Sequence, residues 1–203
     1  MPEEKSDYSD IGTWKLGEAE TKDITKVYVA KTLVIDIPDK KKFTGGGAVS
    51  NFKLVGDFDI QVDYTNSNLS EGVAAEMAVV NSNPPESILV HSNPPFVGSE
   101  LDEDDGPRIN WNSGTTYEEN KYGRTKREGA YKIGKLRLKR DNNRFTSYYW
   151  NGKEWMQSGQ IENPKMNNKV HVRLAAKHWS ENNYPPATVT FMNFQINSGE
   201  IEE

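Results

Sequence analysis

Alternation of apolar and polar residues is the most frequent pattern along this chain, and it predicts β-strands. The clearest case is residues 55–64, where apolar or aromatic residues take every second position and acidic or amide residues lie between them. Further strands are predicted at 14–16, 27–29, 33–37, 73–81, 88–91, 108–111, 169–179 and 187–197. No segment has a sustained apolar period of 3.6 residues, so the pattern predicts no helix.

The strongest local signal is a three-stranded antiparallel meander at residues 134–156. Leu136 and Leu138 alternate with basic residues in its first strand. An Asp-Asn-Asn turn at 141–143 follows, whose residues tolerate left-handed backbone geometry. Asn151-Gly152 is then the strongest short hairpin signal in the sequence, and the return strand is expected to begin at 154–156.

The many short strands separated by turn residues predict an all-β fold, namely an antiparallel two-sheet β-sandwich of the jelly-roll type. A chain of 203 residues suits one such domain. We expect a flexible N-terminal segment at 1–10, the jelly roll at 11–199 and a C-terminal tail at 200–203. Within the domain, Gly45-Gly46-Gly47 predicts a turn between strands, and Met192-Asn193 predicts a β-bulge.

Composition narrows the range of partners. The hydrophobic fraction of 34% suits a sandwich whose outer faces are polar. A net charge of -5 gives no general reason to expect nucleic acid, and no apolar run is long enough to span a bilayer. We therefore expect neither a nucleic-acid nor a membrane partner, and the oligomeric state stays open. The absence of cysteine excludes disulfides and thiolate metal sites.

The cellular compartment is less constrained. The first residues lack the apolar core of a signal peptide, so the signal of an exported protein would precede the present sequence. A chain without cysteine is compatible with the cytosol or with a secreted bacterial domain. Of these, we favour an extracellular or periplasmic location.

Three blocks of the sequence carry a family resemblance. They are GDFDIQVDY at 56–64, GKLRLKRD with YYWNG and Trp155 at 134–155, and FMNFQINSG at 191–199. Together they resemble the concanavalin A-like lectin/glucanase superfamily, and within it the uncharacterised bacterial laminin G-like jelly-roll domains, over residues 45–199. The resemblance implies two curved antiparallel sheets with a concave face, where members bind or cleave glycans. The E-x-D-x-x-E strand of the glucanases is absent, so the resemblance carries over no catalytic residue.

The outer face of the predicted meander is the first candidate binding site. If Leu136 and Leu138 face the core, the basic residues between them face outward, as do alternate residues of the next strand. The residues expected on this face are Arg137, Tyr148 and Trp150, joined by His171 and Arg173 from the strand at 169–179. Flat aromatic rings beside basic donors are the chemistry that a glycan site needs, and the basic character suits an acidic glycan. The alternative is that the rings only pair across strands on a solvated sheet.

Two further tryptophans, Trp111 and Trp179, lie at predicted strand ends beside polar residues. They either bind a ligand as exposed rings or pack against the edges of their own strands. The sequence does not decide between these alternatives.

An acidic loop at 100–106 is the candidate metal site. Asp102, Asp104 and Asp105 offer the hard oxygen ligands that Ca²⁺ prefers. Their spacing does not fit an EF-hand, and solvated surface charge is the simpler interpretation. We therefore expect no cofactor, with Ca²⁺ as the alternative.

Glu76 and Asp59 are the candidate catalytic carboxylates. Glu76 lies on an otherwise apolar strand, where burial would favour the protonated form that a general acid requires. Alternatively, Glu76 pairs with an arginine, and Asp59 is a surface charge that limits aggregation at strand edges.

These observations favour a non-catalytic carbohydrate-binding, lectin-like or adhesion module, with a glycan or polysaccharide as its partner. One alternative is a glycoside hydrolase or lyase that cleaves a polysaccharide with Glu76 and Asp59. The other is a purely structural domain of a larger surface protein.

Overall fold

A computed structural model of the protein describes residues 14–16, 26–29, 32–37, 45–66, 73–81, 86–92, 108–113, 116–119, 133–178 and 186–203. Within these ranges all regular structure is β-strand, which confirms the predicted all-β class. The strands are β1 (Trp14–Leu16), β2 (Lys26–Val29), β3 (Leu33–Ile37), β4 (Gly45–Ser50), β5 (Lys53–Asn66), β6 (Val73–Val80), β7 (Glu86–Ser92), β8 (Arg108–Ser113), β9 (Thr116–Glu119), β10 (Ile133–Asp141), β11 (Arg144–Trp150), β12 (Trp155–Glu162), β13 (Lys169–His178) and β14 (Ala187–Glu202).

The described strands form two antiparallel layers. Sheet A has the order β1-β4-β13-β6-β7-β8-β9, and sheet B has the order β2-β3-β14-β5-β10-β11-β12. Strand β13 connects them, because Lys169 and Val170 pair with β5 before the strand continues between β4 and β6. Hydrogen bonding is thereby continuous across both layers, and the arrangement matches the predicted jelly-roll sandwich.

The hydrophobic core lies between the sheets and is built from alternate residues of each strand. In β5 the inward residues include Phe58 and Ile60, and in β6 they include Ala75 and Met77. The residues between them face away from the core, because successive side chains of a strand point to opposite sides. Each sheet therefore has an inner face against the core and an outer face.

The meander of β10, β11 and β12 forms as predicted. Asn142 takes a positive φ of 55° in its first turn, and its backbone N–H donates to the Asp57 carboxylate at 2.7 Å. Gly152 takes φ 97° in the second turn, and the loop there has four residues, 151–154, rather than the two that an Asn-Gly pair typically gives. In this second turn the Asn151 side chain accepts hydrogen bonds from the backbone N–H groups of Lys153 and Glu154.

The structure differs from the sequence prediction at two segments. The glycine run at 45–47 lies within β4 rather than in a turn. Strand β14 continues to Glu202 and pairs there with β5, so most of the predicted tail at 200–203 is strand. The predicted bulge is confirmed, because the register shifts after Met192 and Asn193 has φ 52°. The expected flexible segment 1–10 lies outside the described residues.

A buried arginine fastens the segment between β12 and β13 to the β10–β11 hairpin. The Arg140 guanidinium donates to the backbone carbonyls of Asn142 at 2.8 Å, Asn167 at 2.6 Å and Met166 at 3.4 Å. It also lies 5.2 Å from the ring centroid of Phe145. Burial lowers the pKa of Arg140. No ion pair links it to a carboxylate of the described residues, so backbone oxygens solvate this charge.

Candidate functional site

Several aromatic side chains of β11 and β12 lie on the outer face of sheet B. Leu136 and Leu138 are buried in the core, and Tyr148 and Trp150 face outward, as the alternation predicts. Trp150 pairs with Trp155 of β12 across the hairpin, and their rings form a T-shaped contact with centroids 5.5 Å apart. We call Tyr148, Trp150, Trp155 and Arg137 the aromatic face.

Trp155 was missing from the residues predicted for this site. The Asn151-Gly152 signal alone does not place it, because a two-residue turn would pair Trp150 with Lys153, whereas the observed loop spans 151–154 and pairs Trp150 with Trp155. The bulge between Ser147 and Tyr148 also lies in this part of the ladder, where the register with β12 shifts.

Arg137 is held by a carboxylate of the neighbouring strand. Its Nε donates to one oxygen of Asp59 at 2.8 Å, and its Nη2 donates to the other at 2.6 Å. Lys139 approaches the same carboxylate at 3.3 Å, and Asn197 of β14 donates to it at 3.2 Å. A bidentate arginine–carboxylate pair fixes both partners in one plane, so Arg137 has little rotational freedom.

The same arginine contacts two rings of the aromatic face. Its guanidinium carbon lies 5.8 Å from the ring centroid of Tyr148 and 5.4 Å from that of Trp155. Lys139 lies 5.7 Å from the Tyr148 ring as well. Cations at these distances are attracted to the ring faces. A continuous row therefore crosses five strands, from Asn197 through Asp59 and Arg137 to the aromatic rings.

The row also determines the ionisation of Asp59. Burial alone would raise the pKa of Asp59, but hydrogen bonds from Arg137 and Asn197, with the charges of Arg137 and Lys139, outweigh it and lower the pKa. The hydrogen bond to Asp59 raises the pKa of Arg137 in turn. Both groups are therefore charged throughout the neutral range.

This ionisation predicts an acid-sensitive contribution to stability. Because the pKa of Asp59 in the folded protein lies below its ordinary value of 3.8, ionised Asp59 stabilises the fold above that value. The contribution is lost as the pH falls through the lowered pKa. We expect Asp59→Asn to lower the free energy of unfolding at neutral pH, with the deficit shrinking between about pH 5 and pH 2. Urea unfolding at several pH values measures this, with the exposed Asp141→Asn as control. A deficit that stays constant with pH would contradict it.

His171 and Arg173 do not join the aromatic face. Both follow the point at which β13 leaves β5, and they pair instead with β6 of sheet A. His171 lies with Nδ1 3.0 Å from the carbonyl oxygen of Ser50. The prediction that these two residues share a face with Tyr148 and Trp150 is therefore wrong, because β13 crosses between the sheets.

Glu76 lies on the outer face of sheet A and is fully buried. It pairs with Arg173, and Lys177 lies 3.1 Å from its second carboxylate oxygen. The predicted pairing of Glu76 with an arginine is thus confirmed. The alternative in which Glu76 cooperates with Asp59 is wrong, because the hydrophobic core separates the outer faces on which they lie.

The remaining predicted residues are only partly described. The backbone of Trp111 lies in β8 opposite Ile88, and its side chain is outside the description. Trp179, Asp102, Asp104 and Asp105 lie outside the described residues. In the part of the chain that is described, no three His, Cys, Asp or Glu side chains are grouped to hold a metal ion, and no helix could span a membrane.

Comparison with solved structures identifies the fold. The carbohydrate binding module CBM66 from Bacillus subtilis superposes with a TM-score of 0.60 at 11% identity, covering 93% of this chain and 98% of that one. The Bacillus licheniformis β-glucanase gives 0.60 at 12% identity, covering 91% and 92%. The exoplasmic/lumenal domain of VIP36, in its Ca²⁺/Man3GlcNAc-bound form, gives 0.53 at 9% identity, covering 92% and 86%. The chain therefore has the concanavalin A-like jelly-roll fold.

The sequence comparisons add no closer relative. No protein-family model matches the chain, and no curated protein matches it. At these identities, the structural similarity shows the fold alone.

Proposed function

We propose that this protein is a non-catalytic glycan-binding module whose binding site is the aromatic face. The observation that carries the proposal is the row in which Arg137 contacts Tyr148 and Trp155, with Trp150 beside them. Sugar rings present apolar faces bordered by hydroxyl groups, and aromatic rings next to polar side chains complement both. All of these aromatic residues are only partly buried.

The structural neighbours support a glycan as the partner. They include a carbohydrate binding module, a β-glucanase and a lumenal domain solved with Man3GlcNAc. The lumenal origin of the last agrees with an extracellular or periplasmic location for the present protein. Its bound Ca²⁺ keeps calcium at the Asp102, Asp104 and Asp105 loop as a proposal to be tested together with binding.

Binding is favoured over cleavage by the surroundings of the two candidate carboxylates. Glycoside hydrolysis requires two carboxyl groups within about 5–10 Å of each other, on either side of the scissile bond. Asp59 and Glu76 lie on opposite outer faces, and each is paired with two cationic side chains. At Asp59 the hydrogen bonds and charges of these partners lower the pKa, which disfavours the protonated form that a general acid requires.

Removal of one ring is expected to weaken binding. Trp150→Ala deletes the ring that packs edge-on against Trp155, and it should raise the dissociation constant for a bound polysaccharide at least about tenfold, which is 1.4 kcal/mol. Affinity electrophoresis in gels containing soluble polysaccharides measures this, with and without Ca²⁺. Arg144→Ala is the matched control, since Arg144 lies outward on the same strand but at its opposite, exposed end.

Three outcomes bear on the proposal. Binding that is lost in Trp150→Ala and retained in Arg144→Ala supports the aromatic face. Binding that is unchanged in Trp150→Ala, or lost only with a chelator, moves the site elsewhere. The absence of binding across neutral and acidic polysaccharides would leave a structural domain as the better account.

A further inference from the structure

The cations of the aromatic face already have carboxylate partners within the sheet. Asp59 occupies the Nε and Nη2 donors of Arg137, which are one of the two donor pairs with which a guanidinium binds a carboxylate. The acceptor capacity of Asp59 is in turn filled by Arg137, Lys139 and Asn197. Asp59 therefore has its acceptors filled, and the charge of Arg137 is already compensated within the sheet.

Other cationic side chains on the outer face of sheet B are likewise paired with carboxylates of adjacent strands. Lys135 of β10 lies 3.1 Å from Asp63 of β5, and Asn193 donates to that carboxylate at 3.0 Å. At the start of β11, Arg144 lies 3.8 Å from Glu162 of β12. Every outward lysine or arginine of β10 and β11 within the described residues thus faces a carboxylate on the adjacent strand.

Two uncharged side chains also lie beside the rings. Gln157 lies opposite Tyr148 and Gln160 lies opposite Thr146, and both glutamines are exposed. Amides and hydroxyls donate and accept hydrogen bonds without a net charge, which is what the hydroxyl groups of a neutral sugar require. The basic character that predicted an acidic glycan is therefore mostly neutralised on this face.

We infer that the glycan taken by the aromatic face is uncharged, and that Arg137 is a positioning residue which holds Tyr148 and Trp155 rather than a ligand-binding group. The inference rests on the proposed function and names its substrate class. Asp59 fixes the guanidinium from one side, and the two rings pack against it from the other. The pair thus sets the spacing of the rings before any ligand binds.

The first test compares neutral and acidic polysaccharides, for example a glucan or mannan with a polyuronate. We expect the neutral polymer to bind at least about tenfold more tightly, and its affinity to change less than about twofold between about 0.05 M and 0.5 M NaCl, because no ion pair with the ligand is screened. Tighter binding of the polyuronate, weakened by salt, would overturn this inference and leave the proposed function standing. Binding of neither polymer would overturn both.

The second test uses Asp59→Asn, with Asp63→Asn as the matched control on the same strand and face. Loss of the Asp59 charge should weaken neutral-glycan binding at least about fivefold, which is near 1 kcal/mol, and raise polyuronate binding, because the charge of Arg137 is then no longer compensated by Asp59. The exciton couplet of the Trp150–Trp155 pair in the circular dichroism spectrum, recorded without ligand, should change in Asp59→Asn and not in Asp63→Asn. An unchanged couplet with unchanged glycan preference would refute the positioning role.

Discussion

The Gly47→Ala variant should lose about 3 kcal/mol or more of its free energy of unfolding, the largest loss that we expect from one added methyl group among the described residues. Gly47 pairs with Ala175 of β13. A Cβ on Gly47 would collide with the backbone carbonyl oxygen of Leu174 and lie 2.8 Å from the Cα of Ala175. Backbone atoms cannot rotate away, so β4 would have to separate from β13. Chemical denaturation measures the loss.

Gly152→Ala is a useful control for this effect. A Cβ at Gly152 meets no atom within 4 Å, but its φ of 97° strains any other residue. That variant should lose only about 1–2 kcal/mol, which isolates the contribution of backbone strain. If both variants lost the same amount, crowding between β4 and β13 would not be the cause.

The Arg140→Met variant is expected to lose about 2–3 kcal/mol of stability. Methionine preserves the aliphatic volume near Phe145 but leaves the carbonyls of Asn142 and Asn167 without their donor. The substitution also removes the cost of burying a charge, which offsets part of the lost stability. The expected loss of stability is therefore smaller than the loss caused by breaking a buried ion pair. Urea unfolding monitored by tryptophan fluorescence provides the measurement.

Lys139→Met is the matched control, because Lys139 is the preceding residue of β10 and its side chain is 42% exposed. Lys139→Met should change the free energy of unfolding by less than about 0.5 kcal/mol. Equal effects of the two substitutions would mean that the backbone contacts of Arg140 contribute little.

Local patterns predicted the faces of the strands well. The inward positions of Leu136 and Leu138 and the outward positions of Tyr148 and Trp150 follow from a period of two residues, which belongs to each strand by itself. The turns at Asn142 and Gly152 followed from residue types that tolerate positive φ. These features need no knowledge of distant parts of the chain.

The membership of each strand in a sheet could not be read in the same way. His171 and Arg173 alternate correctly, yet they belong to sheet A because β13 changes partners after Val170. Glu76 and Asp59 were paired only in the alternative of a polysaccharide-cleaving enzyme, and the core separates them. The alternation of apolar and polar residues predicts which residues share a face of a strand. The strands that lie beside it are determined by pairing with distant segments, which the local pattern does not contain.

The glycine run at 45–47 shows a second limit of prediction from local sequence. Three consecutive glycines predict a turn, because glycine has few conformational constraints. In β4, Gly47 is needed for a different property, which is the absence of a side chain where β13 approaches closely. Propensity does not report on a neighbour that lies far away in sequence.

The central position of β5 in sheet B has a consequence for synthesis on the ribosome. Strand β5 is made early, but its partners β10, β13 and β14 follow much later, and Leu54 pairs with Ile201. Contacts of such long range slow folding and leave strand edges open to other chains in the meantime. The nascent chain therefore carries an incomplete β5 edge until β14 emerges, and sheet B cannot complete its pairing before that point.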